Sequence, residues 1–425
     1  MTTSSYPPPA SNSVPDPHLF RADSQAFLVG DTIFLRGLEE EDAHRASAWS
    51  DSPFPVSAER ATELIRERIA HPQAGQRFWV ACRRDDGEPV GSLTYTRYPE
   101  SDLVVDLVIH ANPSLPGASQ VQAEMLRLFT AWAFDEAELP AFRIHFDEDA
   151  ALVAAAAQAV GSRHCATLRE ARWRHGRWRN TVVHEGYHPA WVSMIGEPDS
   201  GIAHAVAPDD PGRWRPRQHP TLSTVDGDPP INAVMVGPRI YLRPLEMSDA
   251  SGAILGLRRE DETGFYDEGR QPGSAAALRQ HYRSIAEGDP PRTIRFAVCL
   301  RATGEHIGTN GLYRVSPIHQ TAGTESFFHD GATRNRGYGT EAKHLLLAFA
   351  FERIGLHSVH SWVWGPNLRS AAALRKQGYR DAGRLAWAGT KHGIFTHGTY
   401  FDLLADEWRE MTARASTAHA VAVAR

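Results

Sequence analysis

The segment Arg334-Asn335-Arg336-Gly337-Tyr338-Gly339-Thr340-Glu341-Ala342 has the composition of a phosphate socket. Gly337 and Gly339 allow the backbone to turn with its N–H groups facing inward, and the first turn of a following helix adds unpaired donors and the positive end of the helix dipole. Such a socket suits a diphosphate. It needs a strand directly before it and an amphipathic helix directly after it. The sequence offers both: an apolar run at about 324–329, and Thr340–Arg353, where Leu346, Phe349, Ala350 and Arg353 recur at helical spacing.

Other patterns compete with this one. Gly337-x-Gly339-x-x-Ala342 also matches the degenerate dinucleotide fingerprint, and a solvated glycine turn is the plain alternative. A dinucleotide fingerprint opens the first βαβ unit, whereas this loop follows antiparallel strands, so position argues against that fold. GxxxxGK[ST] is absent. His184-Glu185-Gly186-Tyr187-His188 matches the zinc-peptidase pattern H-E-x-x-H, but Gly186 and Pro189 disfavour the helix that would put both histidines on one face, so no metal site is expected. The run Arg172-Trp173-Arg174-His175-Gly176-Arg177-Trp178-Arg179 interleaves cations and aromatics, as surfaces for RNA or acidic peptides do. A solvated hairpin with stacked Arg and Trp is preferred, because only this short stretch is basic.

The elements around the loop belong to a chain of 425 residues, a length that predicts two to three domains. Forty-five basic and fifty-one acidic side chains leave a net charge of −6, which gives no global field for a phosphate backbone and disfavours nucleic acid as a partner. Cys82, Cys165 and Cys299 form no C-x-x-C pair, and the N-terminal segment lacks a basic region and an apolar core. With no run near ~18 apolar residues, a cytoplasmic protein without a membrane partner is expected.

Residues 1–26 read as a disordered tail, 196–238 as a Pro/Gly/Asp-rich linker and 413–425 as a second tail, leaving domains at 27–195 and 239–412. These two bodies repeat one another. A gapless shift of 217 residues pairs Cys82 with Cys299, Gly91 with Gly308, Glu124 with Glu341, Gly161 with Gly378, and Trp191 with Trp408. Near the starts, TIFLRGLEEEDA and RIYLRPLEMSDA match at a shift of 207. In the second body the periodicity predicts a strand over Ile240–Pro244, helices over Met247–Arg258 and Ala275–Glu287, and strands at about 295–301, 306–314 and 324–329. After the glycine loop and its helix come a strand at 358–364, a helix at 368–377 and two final strands.

Several of these residues, in this order, resemble the GNAT superfamily of acyl-CoA-dependent N-acyltransferases. Its signature [RQ]-x-x-G-x-[GA] is filled by Arg334, Gly337 and Gly339. The closer resemblance is to the RimJ/RimL-like branch of ribosomal-protein N-terminal acetyltransferases. The matching letters are RGYGTEAKHLLLAFAFERIGLHSV, Asn367-Leu368-Arg369-Ser370, Gly378-Tyr379-Arg380 and Glu407-Trp408, so the likeness covers about 240–410.

The resemblance implies an α/β fold: two tandem domains, each a mixed, largely antiparallel sheet flanked by helices. It also implies acetyl-CoA as cosubstrate without a metal, and a direct ternary-complex transfer of an acetyl or related short acyl group to a primary amine. Pyrophosphate would lie on Arg334, Asn335, Arg336, Gly337, Tyr338, Gly339 and Thr340, in a V-shaped gap between the fourth and fifth strands. Backbone groups near Phe327 and Phe328 would hold pantetheine and the thioester carbonyl, an oxyanion arrangement. Asn367 resembles the family's asparagine at the pantetheine arm, and Ser370 the branch's serine at the departing thiolate; helix capping would serve both residues equally. Leu374 stands where many members carry a tyrosine general acid. An α-amino acceptor with a pKa near 7.7–8.0 needs only modest help from a base, for which Glu325 is the first candidate and His329 the second, each of them equally readable as a strand-end residue.

In the first body the 217 register puts Gly117, Gln120 and Gln122 opposite Arg334, Gly337 and Gly339, with Ala150 and Val153 opposite Asn367 and Ser370. This copy is therefore expected to keep the fold without binding CoA, as a scaffold, a pseudo-dimer partner or part of an acceptor pocket. The acceptor, whether protein N-terminus, peptide or small molecule, is set by loops around 260–292. There Glu260-Asp261-Glu262 with Asp267-Glu268 reads either as a cation-attracting cluster or as a solvated loop. A monomeric pseudo-dimer and a homodimer both fit. The rival functions are a non-catalytic acyl-CoA-binding scaffold and an antibiotic or small-metabolite N-acetyltransferase.

Overall fold

The computed structural model describes residues 26–50, 54–70, 75–98, 101–174, 176–199, 232–257, 273–286, 291–329, 333 and 335–413. Arg334, His175, the acidic cluster Glu260-Asp261-Glu262 with Asp267-Glu268, and residues 200–231 of the expected linker lie outside them. The chain divides into two compact units, one of residues 1–96 and 107–138, the other of 97–106 and 139–425. The first sequence copy thus contributes to both.

The first unit holds strands β1 (Ala26–Val29), β2 (Ile33–Gly37), β3 (Gln76–Arg83), most of β4 (Pro89–Tyr98) and the end of β5 (Ser101–Ala111), with helices α1 (Ala58–Ala70) and α2 (Ala118–Asp135). β1 to β4 pair antiparallel in sequence order. Apolar side chains including Phe34, Trp49, Ile65 and Val80 fill its core. Glu124 of α2 is buried, and its Oε1 accepts from the Thr32 N–H at 2.9 Å. The chain reaches this carboxylate through Gly30, where a Cβ would lie 2.2 Å from Oε1.

The second unit continues with β6 (Ala141–Asp147), α3 (Ala151–Ala159), β7 (Arg163–Arg174), β8 (Arg177–Tyr187) and α4 (Pro189–Ile195). Then come β9 (Met235–Val236), β10 (Ile240–Pro244), α5 (Ala250–Leu257), α6 (Ala275–Ala286), β11 (Ile294–Leu300), β12 (His306–Ser316) and β13 (Thr321–Phe328). α7 (Tyr338–Ala348), β14 (Ser358–Trp364), α8 (Leu368–Lys376), β15 (Arg380–Lys391) and β16 (Ile394–Leu404) complete it. These strands lie in the order β6-β8-β7-β15-β16-β14-β13-β12-β11-β10-β9. All the pairings recorded from β9 to β16 are antiparallel except β13 with β14. The helix expected over Thr340–Arg353 starts two residues earlier, and its last turn, Phe349–Arg353, is π-helical. Leu345, Leu346, Phe351, Val359 and Phe401 lie in one buried cluster beneath α7.

β7 and β15 meet at Ala166 opposite Gly383, residues equivalent in the 217 register. The surrounding contacts are reciprocal: the Arg169 N–H donates to Asp402 Oδ2 at 2.9 Å, and its counterpart, the Ala386 N–H, donates to Glu185 Oε2 at 3.0 Å. Such an i-to-j, j-to-i pattern is the mark of a two-fold contact, here made within one chain. His184 and Glu185 lie in β8 rather than on a helix: Ser162 Oγ lies 3.1 Å from His184 Nδ1, and Glu185 pairs with Arg143 at 3.2 Å. Trp173 and Trp178 face each other across the β7–β8 hairpin with ring centroids 4.9 Å apart.

Candidate active site

The ladder between β13 and β14 runs from Thr321↔Ser358 to Gly323↔His360 and stops. β13 stays paired with β12 as far as Phe328, and β14 with β16 as far as Trp364. Their facing edges therefore separate beyond that point, leaving strand-edge groups that need partners. Side chains close the vertex. Ser361 Oγ donates to the Thr324 carbonyl at 3.0 Å, and Thr324 Oγ1 lies 2.9 Å from the Tyr379 hydroxyl. Gly323 leaves room there for the Tyr313 ring, from which a Cβ would sit 2.2 Å.

At the open end stands the N-terminus of α7. Gly337 caps it at φ 81°, the left-handed region, and no side chain caps the first turn. The Tyr338, Gly339 and Thr340 amides lie in that turn. Arg239 fixes the loop from below: its Nη1 donates to the Arg336 carbonyl at 2.7 Å, its Nε to Glu341 Oε2 at 2.8 Å, and its guanidinium lies 5.1 Å from the Tyr338 ring centroid. Glu341, nearly inaccessible to solvent, also accepts from the Arg239 and Ile240 amides at 2.9 and 3.1 Å. A Cβ on Gly337 would lie 3.0 Å from Arg239 Nη2, and one on Gly339 would lie 3.3 Å from the Phe328 ring. The loop thus presents open first-turn amides on a base braced by Arg239 and Glu341, an arrangement able to accept an anionic group such as a diphosphate. Asn335 adopts φ 59° in the same loop.

The gapless register misplaces the corresponding loop of the first copy. Gly117, at φ 80°, caps α2 as Gly337 caps α7. Gly117 precedes Glu124 by seven residues, whereas Gly337 precedes Glu341 by four, so α2 is longer by about one turn at its N-terminus. Gln120, aligned with Gly337, is therefore helical.

Glu325 is one-third exposed, and its carboxylate is engaged by Arg295 Nε at 2.6 Å; Arg295 Nη1 in turn reaches His281 Nε2 at 3.0 Å. Burial and the neighbouring Arg295 lower the His281 pKa. This trio joins a helix, α6, to strands β11 and β13, and only its Glu325 was legible in the sequence. His329 is buried against His306, with 3.3 Å between Nε2 atoms, instead of standing at an open strand end. Phe327 and Phe328 are half-buried near the end of β13. Asn367 caps α8, its Oδ1 accepting from the Ser370 N–H at 3.1 Å. Ser370 is half-buried in the first turn, and Leu374 is packed in the core.

One residue escaped the sequence reading. Lys343, on α7, is buried, and its Nζ lies 3.4 Å from the Glu325 carbonyl oxygen. Burial pushes its pKa down to about 7, against an opposing pull from the Glu325 carboxylate. Its neighbours Ala342 and Leu345 would have marked this face as internal, but a single cation in an apolar helix gives no sign of its depth.

Comparison with known proteins gives the chain its family. The model of the acetyltransferase (GNAT) domain matches residues 32–163 and again 239–380. A curated relative, the probable N-acetyltransferase YjcK of Bacillus subtilis, is 27% identical over 162 residues, covering 35% of this chain and 85% of that protein. Among solved structures, a GNAT-family acetyltransferase from Bacillus anthracis aligns over 40% of this chain and 98% of its own at 17% identity, with a TM-score of 0.35. A mutant spermidine/spermine N-acetyltransferase SpeG from Vibrio cholerae aligns over 40% and 96% at 19% identity, with a TM-score of 0.34. Among the described residues, no helix is long and apolar enough to cross a membrane. This chain belongs to the GNAT acetyltransferases, acyltransferases that use acetyl-CoA, and the family's domain is matched in it twice.

Proposed function

We propose that the chain is a tandem duplication of the RimJ/RimL-like branch in which residues 239–412 transfer an acetyl or related short acyl group from acyl-CoA to a primary amine, while residues 27–195 are non-catalytic. The difference between the two helix starts carries this reading. Gly337 leaves the first-turn amides of α7 open four residues before Glu341, whereas in the first copy a further helical turn occupies that place. The thioester supplies the activated acyl group. The Gly337–Thr340 amides bind diphosphate, the edges of β13 and β14 near Phe327 and Phe328 hold pantetheine, and Arg334, Asn335 and Arg336 complete the loop. Asn367 orients the arm. Ser370, whose hydroxyl is engaged by no hydrogen bond among the described residues, donates to the departing thiolate. Glu325, held by Arg295, takes the acceptor's proton through water. The acceptor is a protein N-terminus, a peptide or a small amine, and the setting is the cytoplasm.

The burial of Leu374, where many relatives place an acidic tyrosine, favours a second reading as a non-catalytic acyl-CoA binder. Calorimetric titration with acetyl-CoA, followed by thiol release with an amine panel, separates the two. One site per chain, lost in Gly337→Trp, is expected, with CoA released when an amine is supplied. Two sites per chain would refute the assignment of the first copy, and binding without turnover across the panel would refute catalysis.

A further inference from the structure

A cavity of about 530 Å³ lies wholly within the second unit, a size common for small-molecule sites of roughly 300–1,000 Å³. Three segments build it: the junction of the first copy with the linker at Ile195–Asp199, the β14–α8 turn that presents Asn367, and the β15–β16 hairpin. Trp387 and Phe395 form one wall, stacked with centroids 4.8 Å apart at 24°. Leu368 and Ile394 stand at the lining 74% and 70% exposed, an apolar surface with no partner of its own. Glu197 and Asp199 add two exposed carboxylates, one paired with Arg163 and the other with Arg384 at 2.8 Å. Each carboxylate keeps further acceptor sites beyond one arginine contact. His397, whose ring would lie 2.5 Å from a Cβ on Gly365, is held toward its neutral form by burial and by Arg384. Arg163 and Arg384 thus balance the two carboxylates in charge, and what Glu197 and Asp199 offer an incoming ammonium is their remaining acceptor positions.

We infer that this cavity binds the amine acceptor, and that it selects a small primary amine with an aromatic-sized apolar body: the ring packs on Trp387, Phe395, Leu368 and Ile394, and the ammonium faces Glu197 and Asp199. The inference rests on the acyl-transfer reading of the second copy and deepens it. It gives the start of the segment joining the two copies a role in the site, because Glu197 and Asp199 lie there and the apolar wall belongs to the second copy. The shared Gly365–Leu368 turn joins the cavity to Asn367.

The test is calorimetric titration of the full chain with phenethylamine and, separately, with phenylacetate, in the wild type and in Ile394→Arg and Leu368→Arg, both exposed positions that tolerate charge. Saturable binding of one phenethylamine per chain is expected, weakened at least tenfold in each variant, with phenylacetate not bound. Equal phenethylamine affinity in the wild type and both variants, equal binding of phenylacetate, or no amine binding at all would overturn the proposal. A parallel acetyl-CoA titration keeps the two readings apart. Amine binding without acetyl-CoA binding would refute the transferase reading and leave the cavity as an amine site; the reverse would refute the cavity alone.

Discussion

Lys343 is the residue whose environment makes the sharpest quantitative demand. Its amine is buried beside the Glu325 carbonyl, and burial lowers its pKa from 10.5 to about 7. Each pH unit between the two values costs the folded state about 1.4 kcal/mol, because the unfolded chain takes up the proton first. Above pH 10.5 both states are neutral and nothing is lost. As pH falls toward 7 the penalty grows to about 5 kcal/mol, and below 7 it stays constant. Lys343→Met keeps the apolar stem and removes the titrating group, giving up only a 3.4 Å contact. The variant should be more stable than the wild type by about 4 kcal/mol at pH 7, and the gap should shrink by about 2.5 kcal/mol by pH 9. Urea unfolding of both proteins at pH 7, 8 and 9 reads this directly. A gap that stays constant across that range would show that Lys343 titrates alike in the folded and unfolded chains, and would refute the burial argument.

Other predictions follow from buried carboxylates. Glu341→Gln removes the charge that holds the Arg239 guanidinium and two amides, and should cost about 3 kcal/mol of unfolding free energy while loosening the loop at Gly337. Glu124→Gln should act similarly in the first unit, and urea midpoints unchanged in both variants would sink the anchor argument. Asp402→Asn removes the carboxylate that Arg169 and Arg380 share at the β7–β15 contact; Arg169 keeps Glu407 while Arg380 loses its anion, and a loss of about 3 kcal/mol is expected in thermal or urea unfolding. An unchanged melting temperature there would show that the reciprocal contacts are not what joins β7 to β15.

What the sequence determined alone was local and periodic. Strand Ser358–Trp364 lies where alternation put it and strand Ile240–Pro244 has the bounds expected, because a two-residue or 3.6-residue period is written in neighbouring letters. The repeat was legible for the same reason: Cys82 with Cys299 and Glu124 with Glu341 keep one spacing, since each pair serves the same packing role. Tertiary structure alone decided where helices start and what meets across strands. The gapless register assigned Gln120 to the Gly337 position, yet Gly117 is the residue at positive φ, because an added turn moves a cap without disturbing the buried glutamate behind it. Arg295 engages Glu325 across two ladders, His329 turns inward onto His306, and Ala166 meets Gly383 from the other copy; sheet pairing sets each of these contacts between residues far apart in the chain. The depth of Lys343 belongs with them, since what surrounds an amine is decided by the elements packed around its helix and not by the helix itself.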